Sequence, residues 1–413
     1  MTATAMGVPA AGGRGRARRG AALGLVFGAV LLSGAAAGAW GGTAPVRPAV
    51  PAGNATASGQ RSQGSEDGQD GHRGLDGGAP PAAALTPQQA ERLVAVGGDR
   101  WAAYYSPQEY AEFAQGLDGE YLGVGLFVDR AADGSTVVAE LTPGSPAAAA
   151  GIAVGERLLA VDGAPVDRLP VTEVVARLRG RPDTPAEPGR AAGPGSAVRL
   201  TLRRPGAAPR EVTLRRAVLA AQDVAVDHPA AGVLWITARA FTTGVGAEIA
   251  AAVRRSPEHG VVLDLRGNSG GLVAEAVATA SVFLDGGPVA SYLAGGERRE
   301  LTAAPGGDAR TPLVVLVDGG TMSAAELLAG ALQDRCRAVL VGSRTFGKGT
   351  VQQPSRLADG SVLELTVGRW STPAGRSPDG TGLLPDVPAA DPGSADALAL
   401  RVLSGLGEVA ARP

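Results

Sequence analysis

The stretch that decides the fold is residues 313–333, LVVLVDGGTMSAAELLAGALQ. It opens with five uninterrupted apolar residues, the pattern of a strand that is buried on both faces. Two glycines then mark a tight turn, and a helical pattern runs from Ser323 to Gln333. A buried strand that passes through a turn into a helix is the unit from which layered α/β cores are built.

The same alternation of strand and helix continues on both sides of this stretch. The sequence predicts strands at Val261–Leu265, Ala338–Val341 and Val362–Gly368, and a helix at Ala274–Leu284. We therefore expect an α/β core over residues 217–390, followed by a C-terminal helix over residues 391–413.

Ser323 stands where the helix of the first stretch should begin, and two interpretations fit it. Serine is a favoured helix N-cap, and Glu326 three residues later completes the capping-box pattern. The same position suits a catalytic serine, because backbone amides and the dipole at a helix N-terminus can stabilise a developing oxyanion. The stretch alone does not decide between a cap and a nucleophile.

Lys348 is the only lysine among the 38 lysine and arginine residues of the chain. It lies between two glycines in residues 342–352, GSRTFGKGTVQ. A guanidinium group stays protonated, whereas a buried lysine can lose its proton and act as a base. The glycine spacing differs from that of a phosphate-binding P-loop, which makes nucleotide binding a poor explanation. Lys348 is therefore a candidate general base, and the alternative is the chance survival of one surface lysine.

Other chemistries find little support in the composition. A Ser-His-Asp triad would have to use His72, His228 or His259, and it stays open as an alternative. The sequence has no metal-ligand spacing, so neither a metal nor another cofactor is expected. Cys336 is the only cysteine, which excludes an internal disulfide and a four-cysteine zinc site, and we expect it to be a small core residue. The net charge of -2 gives no global basic field, so nucleic acid is not an expected partner.

The first 85 residues contain two further regions. Four arginines precede an uncharged apolar stretch from Gly20 to Trp40, so residues 1–40 are predicted to be a signal peptide or a single membrane anchor. Small residues at 35–39 also fit a cleavage site, and both forms stay open. Either form places the rest of the chain outside the cytoplasm, at the cell membrane or secreted. Residues 41–85 are rich in Pro, Gly, Ala and Ser and are predicted to be a disordered linker.

Residues 86–120 are predicted to form short helices that pack on a following domain, with their aromatic residues in the core. From 121 to 216 the pattern changes to short strands bounded by Gly and Pro, with one helix at Val171–Leu178 that begins near Thr172. The predicted strands are Val124–Val128, Thr136–Leu141, Val198–Arg203 and Glu211–Arg215. A Pro/Gly-rich insert at 181–195 is expected to be a surface loop.

Residues 121–216 resemble a PDZ domain. The resemblance is carried by residues 121–125 (YLGVG), 144–147 (GSPA), 150–152 (AGI), 155–159 (GERLL) and 161–163 (VDG). It implies binding of C-terminal peptide ends by strand addition, with backbone amides holding the terminal carboxylate. Those amides would come from Leu122, Gly123, Val124 and Gly125, since glycine lets a ligand approach the backbone closely. A purely structural small barrel is the alternative.

From about Trp101 to the C-terminal helix, the chain resembles the carboxyl-terminal processing proteases, also called tail-specific proteases. The motifs are, in order, residues 263–271 (LDLRGNSGG), 323–326 (SAAE) and 346–352 (FGKGTVQ). The chain departs from the family at Ser269, where Pro is frequent, and at Ala325, where a second serine is frequent. The resemblance implies a layered, crotonase- and ClpP-like α/β protease core with an inserted β-rich PDZ domain and an N-terminal membrane segment.

The resemblance also implies a role for each matching residue. Ser323 would be the nucleophile and Lys348 its general base. Gln352 would orient the lysine, and Glu326 matches a carboxylate that some members require. The oxyanion hole would lie at Gly270, Gly271 and Ala324.

The expected function is that of a serine endopeptidase that cleaves extracytoplasmic proteins near or from unstructured C-terminal tails. The PDZ domain would present the tail and could also gate the active site. The alternative from another functional class is a non-catalytic, membrane-tethered PDZ scaffold that only binds C-termini. The sequence leaves the physiological substrates and homo-oligomerisation open.

Overall fold

The computed structural model describes residues 85–131, 133–180, 192–255, 260–294, 297–389 and 391–410. The predicted signal or anchor segment, nearly all of the predicted linker and most of the predicted 181–195 loop lie outside these residues. Within them, no helix combines the length and the apolar character that a membrane crossing requires.

Helices and strands are numbered here in chain order. The helices are α1 (Pro87–Val96), α2 (Pro107–Leu117), α3 (Pro146–Ala149), α4 (Val171–Arg179), α5 (Val245–Arg255), α6 (Val273–Phe283), α7 (Ala324–Asp334) and α8 (Pro392–Ala410). The strands are β1 (Ala103–Tyr105), β2 (Glu120–Gly123), β3 (Leu126–Arg130), β4 (Thr136–Leu141), β5 (Arg157–Val161), β6 (Ala164–Pro165), β7 (Ala197–Arg203), β8 (Arg210–Arg215), β9 (Ala217–Ala220), β10 (Val224–Asp227), β11 (Val233–Ala238), β12 (Gly260–Asp264), β13 (Pro288–Ala294), β14 (Glu297–Thr302), β15 (Leu313–Val317), β16 (Val339–Gly342), β17 (Thr350–Arg356), β18 (Val362–Ser371) and β19 (Val387–Pro388).

The described residues form two compact units, and one of them is inserted into the sequence of the other. Residues 122–219 form one unit, and the residues on both sides of them, 85–121 and 220–410, form the other. The segment 86–120 was predicted to form short helices that pack on a following domain. It clusters with the residues after 220, and its strand β1 pairs with β18.

The larger unit is built on a six-stranded sheet with the order β10-β11-β12-β15-β16-β19. Its strands are parallel except for β10, which runs antiparallel to β11. Successive side chains of a strand face opposite sides of a sheet, and helices cover both sides here. Val262 and Leu316 share a core with α8, whereas Leu263 and Val315 share a core with α5, α6 and α7. The predicted mixed α/β fold is therefore confirmed, and its likeness to crotonase and ClpP stays a prediction.

A second sheet of this unit has the order β1-β18-β13-β14, with β17 also paired to β18. Its strand β1 belongs to the segment that precedes the inserted unit. That segment is held locally by two complete capping boxes, at Thr86 before α1 and at Ser106 before α2. The sequence pattern did not predict β1, which is only three residues long.

The inserted unit is an antiparallel sheet of the order β3-β4-β5-β7-β8, with β6 paired to β5 and with helices α3 and α4. Leu126 of β3 and Val174 and Leu178 of α4 lie in one core. Gly125 precedes β3 with a φ of 73°, and a Cβ atom there would lie 2.2 Å from the Cβ of Ser145. The turn into β3 therefore requires glycine.

Element positions follow the sequence prediction closely where the pattern is local. The strands predicted at Leu313–Val317 and Thr136–Leu141 match β15 and β4. The boundaries of the helices predicted at Ala274–Leu284 and Ser323–Gln333 differ by one residue from those of α6 and α7. Helix α4 begins one residue before Thr172, after Pro170 as N-cap. Cys336 was predicted to be a core residue, which is wrong, since it is exposed just after α7 with a φ of 52°.

Candidate active site

The three sequence motifs meet at one edge of the six-stranded sheet. Strands β12, β15 and β16 are parallel neighbours, so their carboxyl ends lie side by side. The glycine-rich loop 265–271 follows β12, the turn 318–323 follows β15, and the loop 343–349 follows β16. Ligand sites in open parallel sheets form at such carboxyl ends, in the loops that follow the strands.

Hydrogen bonds join the three loops to one another. The carboxylate of Asp318 accepts from the backbone N–H of Gly267 at 2.9 Å, which ties the second loop to the first. The backbone N–H of Met322 donates to the carbonyl of Asn268, and that of Phe346 donates to the carbonyl of Thr321. Residues that are far apart in sequence are thereby fixed relative to one another.

Ser323 is fully buried at the start of α7 and has a strained backbone. Its φ is 58° and its ψ is -117°, a conformation that residues other than glycine rarely adopt. Its hydroxyl oxygen is buried and has no hydrogen-bond partner among the described residues. A serine that only capped the helix would use this hydroxyl on the backbone, so the capping interpretation leaves both the strain and the unused hydroxyl unexplained.

Glu326 is the residue that connects the serine to the lysine. Its fully buried carboxylate accepts four hydrogen bonds. Oε2 accepts from the backbone N–H of Ser323 at 3.0 Å and from that of Lys348 at 2.8 Å. Oε1 accepts from the hydroxyl of Thr345 at 2.5 Å and from the backbone N–H of Gly347 at 2.7 Å. A single oxygen atom thus holds the main chain at both residues of the predicted dyad.

Lys348 is 1% exposed, and its amine lies against an aromatic ring. The Nζ atom is 4.6 Å from the centre of the Trp101 ring. Burial lowers the pKa of Lys348 to about 8, and the nearby Arg100 acts in the same direction. The carboxylates of Glu364, Asp99 and Glu326 oppose this effect by raising the pKa. A lysine in this setting is neutral in a usable fraction of molecules near neutral pH.

Gln352 is almost fully buried on β17, four residues after the lysine. Its Nε2 group donates to the hydroxyl oxygen of Thr350 at 2.8 Å and to that of Thr366 at 3.2 Å. Its Oε1 atom has no hydrogen-bond partner in the described part of the chain. The amide is therefore fixed by its two donors and presents one unused acceptor.

The residues predicted for the oxyanion hole lie beside Ser323, but they are not equivalent. A Cβ atom on Gly270 would come within 3.0 Å of the Ser323 Cβ and 3.2 Å of the Ala324 nitrogen. The N–H of Gly270 already donates to the side-chain oxygen of Asn268 at 2.8 Å. Among the described hydrogen bonds, none uses the N–H of Gly271 or of Ala324. Two of the three predicted donors are thus available to a ligand.

Comparisons with known proteins bear on the same residues. Residues 232–389 match the model of peptidase family S41, and residues 137–187 match that of the PDZ domain. The chloroplastic C-terminal processing peptidase of Tetradesmus obliquus is 34% identical over 317 residues, which cover 74% of this chain and 68% of that protein. The chain belongs to peptidase family S41. It is a serine-type peptidase, and the predicted relationship to C-terminal processing proteases with a PDZ domain is confirmed.

Other relatives of this S41 peptidase agree. The carboxyl-terminal-processing protease of Synechocystis sp. is 33% identical over 308 residues, which cover 72% of this chain and 69% of that protein. The solved structure of a candidate S41 protease from Bacteroides fragilis has a TM-score of 0.50 and 17% identity, and the match covers 81% of this chain and 92% of that one. At that identity the solved structure supports the fold alone.

Of the predicted peptide-binding residues of this S41 peptidase, Leu122 and Gly123 are the last two of β2, and Val124 and Gly125 form the loop that connects it to β3. Strand β3 is the terminal strand of its sheet in the order that the described residues show. An extended peptide adds to a strand with one unpaired side. The position of the loop therefore fits the predicted role, and the role itself stays a prediction.

Three residues around Lys348 in this S41 peptidase were not predicted from the sequence: Asp99, Trp101 and Glu364. A fourth, Thr366, bonds to Asp99 and Gln352. The aromatic residue was interpreted as core, and the other three lie outside the motifs. Glu364 is 3% exposed, and burial raises the pKa of its carboxyl group, an effect that the charge of Lys348 opposes.

Of the three histidines that could serve as an alternative base, the structure describes one. His228 is exposed just after β10, and His72 and His259 lie outside the described residues. Among the residues that the structure describes, no group of three or more potential metal ligands comes together.

Proposed function

We propose that this S41 peptidase cleaves extracytoplasmic proteins near or from their C-terminal tails with a Ser323–Lys348 dyad. The observation that carries the proposal is the Glu326 carboxylate, because one of its oxygens accepts from the backbone of both dyad residues. A purely structural serine and lysine would need neither the shared anchor nor the unused, buried hydroxyl of Ser323.

The chemistry follows from the two side chains. The neutral amine of Lys348 removes the proton of the Ser323 hydroxyl, and the oxygen attacks the carbonyl carbon of the scissile peptide bond. The ammonium then donates that proton to the leaving amine, and an acyl-enzyme remains. Water attacks the ester with the lysine again as base, which releases the new C-terminal carboxylate and restores the serine.

The N–H groups of Gly271 and Ala324 are the proposed oxyanion donors. Both are free within the described hydrogen bonds, whereas the predicted third donor, Gly270, serves Asn268. The proposed role of Gly270 is therefore to leave room beside Ser323, since a Cβ atom at that position would lie too close to the serine. The loss of one oxyanion donor typically costs about 3 kcal/mol of transition-state stabilisation.

The inserted PDZ unit is proposed to hold the substrate tail. The loop Leu122–Gly125 and the unpaired side of β3 are the elements that would take the terminal carboxylate and the extended tail. The arginine-rich start and the apolar stretch after it support an extracytoplasmic location, anchored or secreted.

The first test is peptide cleavage by the full-length protein. A peptide with an unstructured C-terminal tail should be cleaved, and the Ser323→Ala variant should bind it without cleavage, because the variant lacks only the nucleophilic oxygen. The measurement is product formation by mass spectrometry together with the dissociation constant of the tail. A second peptide with an amidated C-terminus should be cleaved more slowly, since it lacks the terminal carboxylate that the PDZ unit would hold.

Two outcomes contradict this proposal. Cleavage by Ser323→Ala at the wild-type rate would exclude Ser323 as nucleophile. Tail binding by the wild type without any cleavage would favour the non-catalytic scaffold.

A second prediction concerns pH. The base must be neutral to accept a proton, so kcat/KM should rise with pH and level off above about 8, the pKa of Lys348. At pH 6 the rate should be about 100-fold below the plateau, since each pH unit below the pKa costs about tenfold. The measurement is a pH-rate profile with an uncharged peptide substrate. A limb near pH 6.5 would instead point to a histidine.

A further inference from the structure

The turn Asp99–Trp101 lies over Lys348, although it belongs to the segment before the PDZ unit and outside the residues that match the S41 model. The ring centre of Trp101 is 4.6 Å from the lysine Nζ and 5.9 Å from the ring centre of Phe346. The indole Nε1 is buried without a hydrogen-bond partner among the described residues. Its contact with the lysine is therefore made by the ring, which keeps water from one side of the amine.

Asp99 holds this turn in place through two neighbours. Its Oδ1 atom accepts from the backbone N–H of Trp101 at 3.0 Å and from the hydroxyl of Thr366 at 2.9 Å. Its Oδ2 atom accepts from the backbone N–H of Thr366 at 2.8 Å. One carboxylate thus fixes both the aromatic cover and a threonine on β18.

The hydrogen bonds of this carboxylate have a defined direction. A carboxylate only accepts, so the hydroxyl of Thr366 gives Asp99 its single proton. The threonine oxygen can then only accept a hydrogen bond from Gln352. The Gln352 amide must therefore point its Nε2 group, and not its Oε1 atom, toward Thr366. The second Nε2 proton goes to Thr350. The amide is thereby oriented with its Oε1 atom as the unused acceptor.

From this arrangement we propose that Asp99, Thr366 and Trp101 are positioning residues for Lys348. Through Thr366, Asp99 orients the Gln352 amide so that its carbonyl oxygen, which has no hydrogen-bond partner among the described residues, is free to accept one N–H of the neutral amine during the reaction, which would leave the nitrogen lone pair for Ser323. The Trp101 ring excludes water from that amine. The inference rests on the proposed Ser323–Lys348 dyad, and it adds a part of the active site that the segment before the PDZ unit supplies.

Asp99 and Trp101 should have opposite effects on the pKa of Lys348, and the charged groups around the amine are part of the reason. They are Glu364 on β18, Asp99 and Arg100 in the turn, and Glu326 on α7. The negative charge of Asp99 raises the pKa of Lys348, whereas burial lowers it. Removal of the charge should therefore move the activity limb to lower pH. Removal of the Trp101 ring should move it to higher pH, because burial is the largest effect on the pKa of this amine and outweighs the attraction between the ring and the ammonium.

The first experiment uses Thr366→Val, which keeps the shape and the backbone N–H but removes the hydroxyl. We expect kcat to fall about 100-fold with KM unchanged, because a misplaced catalytic group costs about that much. Ser361→Ala is the matched control, since it removes a buried hydroxyl that likewise donates to a carboxylate, that of Asp359, in the turn just before β18. The control should retain wild-type kcat.

The second experiment compares pH-rate profiles. Asp99→Asn should lower the plateau and shift the limb to lower pH. Trp101→Ala should shift the limb upward, and Trp101→Phe should restore it, since a smaller ring still covers the amine. A merely structural defect would lower the plateau without shifting the limb in opposite directions.

The results separate this inference from the proposed dyad. One result would overturn the positioning role alone. In it, Ser323→Ala abolishes cleavage, whereas Thr366→Val, Asp99→Asn and Trp101→Ala keep the wild-type kcat and the wild-type pH dependence. Wild-type protein that cleaves no tailed peptide would overturn the dyad instead. Equal losses of kcat in Thr366→Val and Ser361→Ala would also contradict the proposed role of the Asp99–Thr366–Gln352 hydrogen bonds, because they would reflect damage around β18.

Discussion

Replacing Lys348 with arginine should abolish peptide cleavage while the protein stays folded. Arginine keeps the positive charge and much of the stem, but a guanidinium does not lose its proton in a protein and cannot accept one from Ser323. General-base catalysis contributes about 100- to 10,000-fold to a rate, and the loss should fall in that range. The measurement is kcat by product formation, with circular dichroism to confirm the fold.

The matched control for this variant is Arg344→Lys in the same loop. Arg344 donates to the carbonyl of Thr381 at the surface, so its replacement changes a basic residue without touching the dyad. It should retain activity. If Lys348→Arg were active at the wild-type level near neutral pH, the lysine would be a charge donor and not a base.

The local parts of this architecture could be predicted from the sequence, because they depend on neighbours in the chain. An apolar run followed by glycines and a helical pattern is enough to predict β15, the turn and α7. The same locality explains why the capping-box pattern correctly predicted one contact of Glu326, the bond from the Ser323 N–H three residues away.

The other contacts of Glu326 could not be predicted in this way. Its bonds to Gly347 and Lys348 depend on the adjacent parallel packing of β15 and β16, which sequence periodicity does not specify. The bond that the Thr366 N–H donates to the Asp99 carboxylate joins residues 267 positions apart and depends on the pairing of β1 with β18. An aromatic residue in a cluster is typical of a core, so that pattern did not predict the contact of Trp101 with the Lys348 amine.

A different limit applies to the oxyanion donors. Gly270 and Gly271 are adjacent glycines, and the motif alone treats them alike. They differ because the side chain of Asn268 turns back on the N–H of Gly270, a bond within two residues that depends on the rotamer of the asparagine. The motif therefore predicts an oxyanion hole in this region, while the difference between the two N–H groups depends on the local conformation of Asn268.

Replacing Glu326 with alanine should remove both activity and a large part of the stability. Four donors would lose their acceptor in the buried interior: the backbone N–H groups of Ser323, Gly347 and Lys348 and the hydroxyl of Thr345. Each unsatisfied buried donor costs about 1–3 kcal/mol, so the free energy of unfolding should fall by more than about 3 kcal/mol. Cleavage by the folded fraction should fall at least about 100-fold, because the serine and the lysine lose their common anchor.

Glu326→Gln should be milder in stability and still defective in activity. The amide oxygen can keep the bonds from Ser323 and Lys348, and the hydroxyl of Thr345 can accept from the new amide, but the N–H of Gly347 then faces another donor. Asp386→Ala serves as the control, since that carboxylate accepts from Leu340 and from the side chain of Gln333, at the other ends of β16 and α7. It should lower the free energy of unfolding in urea with kcat per folded molecule unchanged. A Glu326→Ala variant that lost stability yet kept wild-type kcat would show that the carboxylate supports the fold without aligning the two residues.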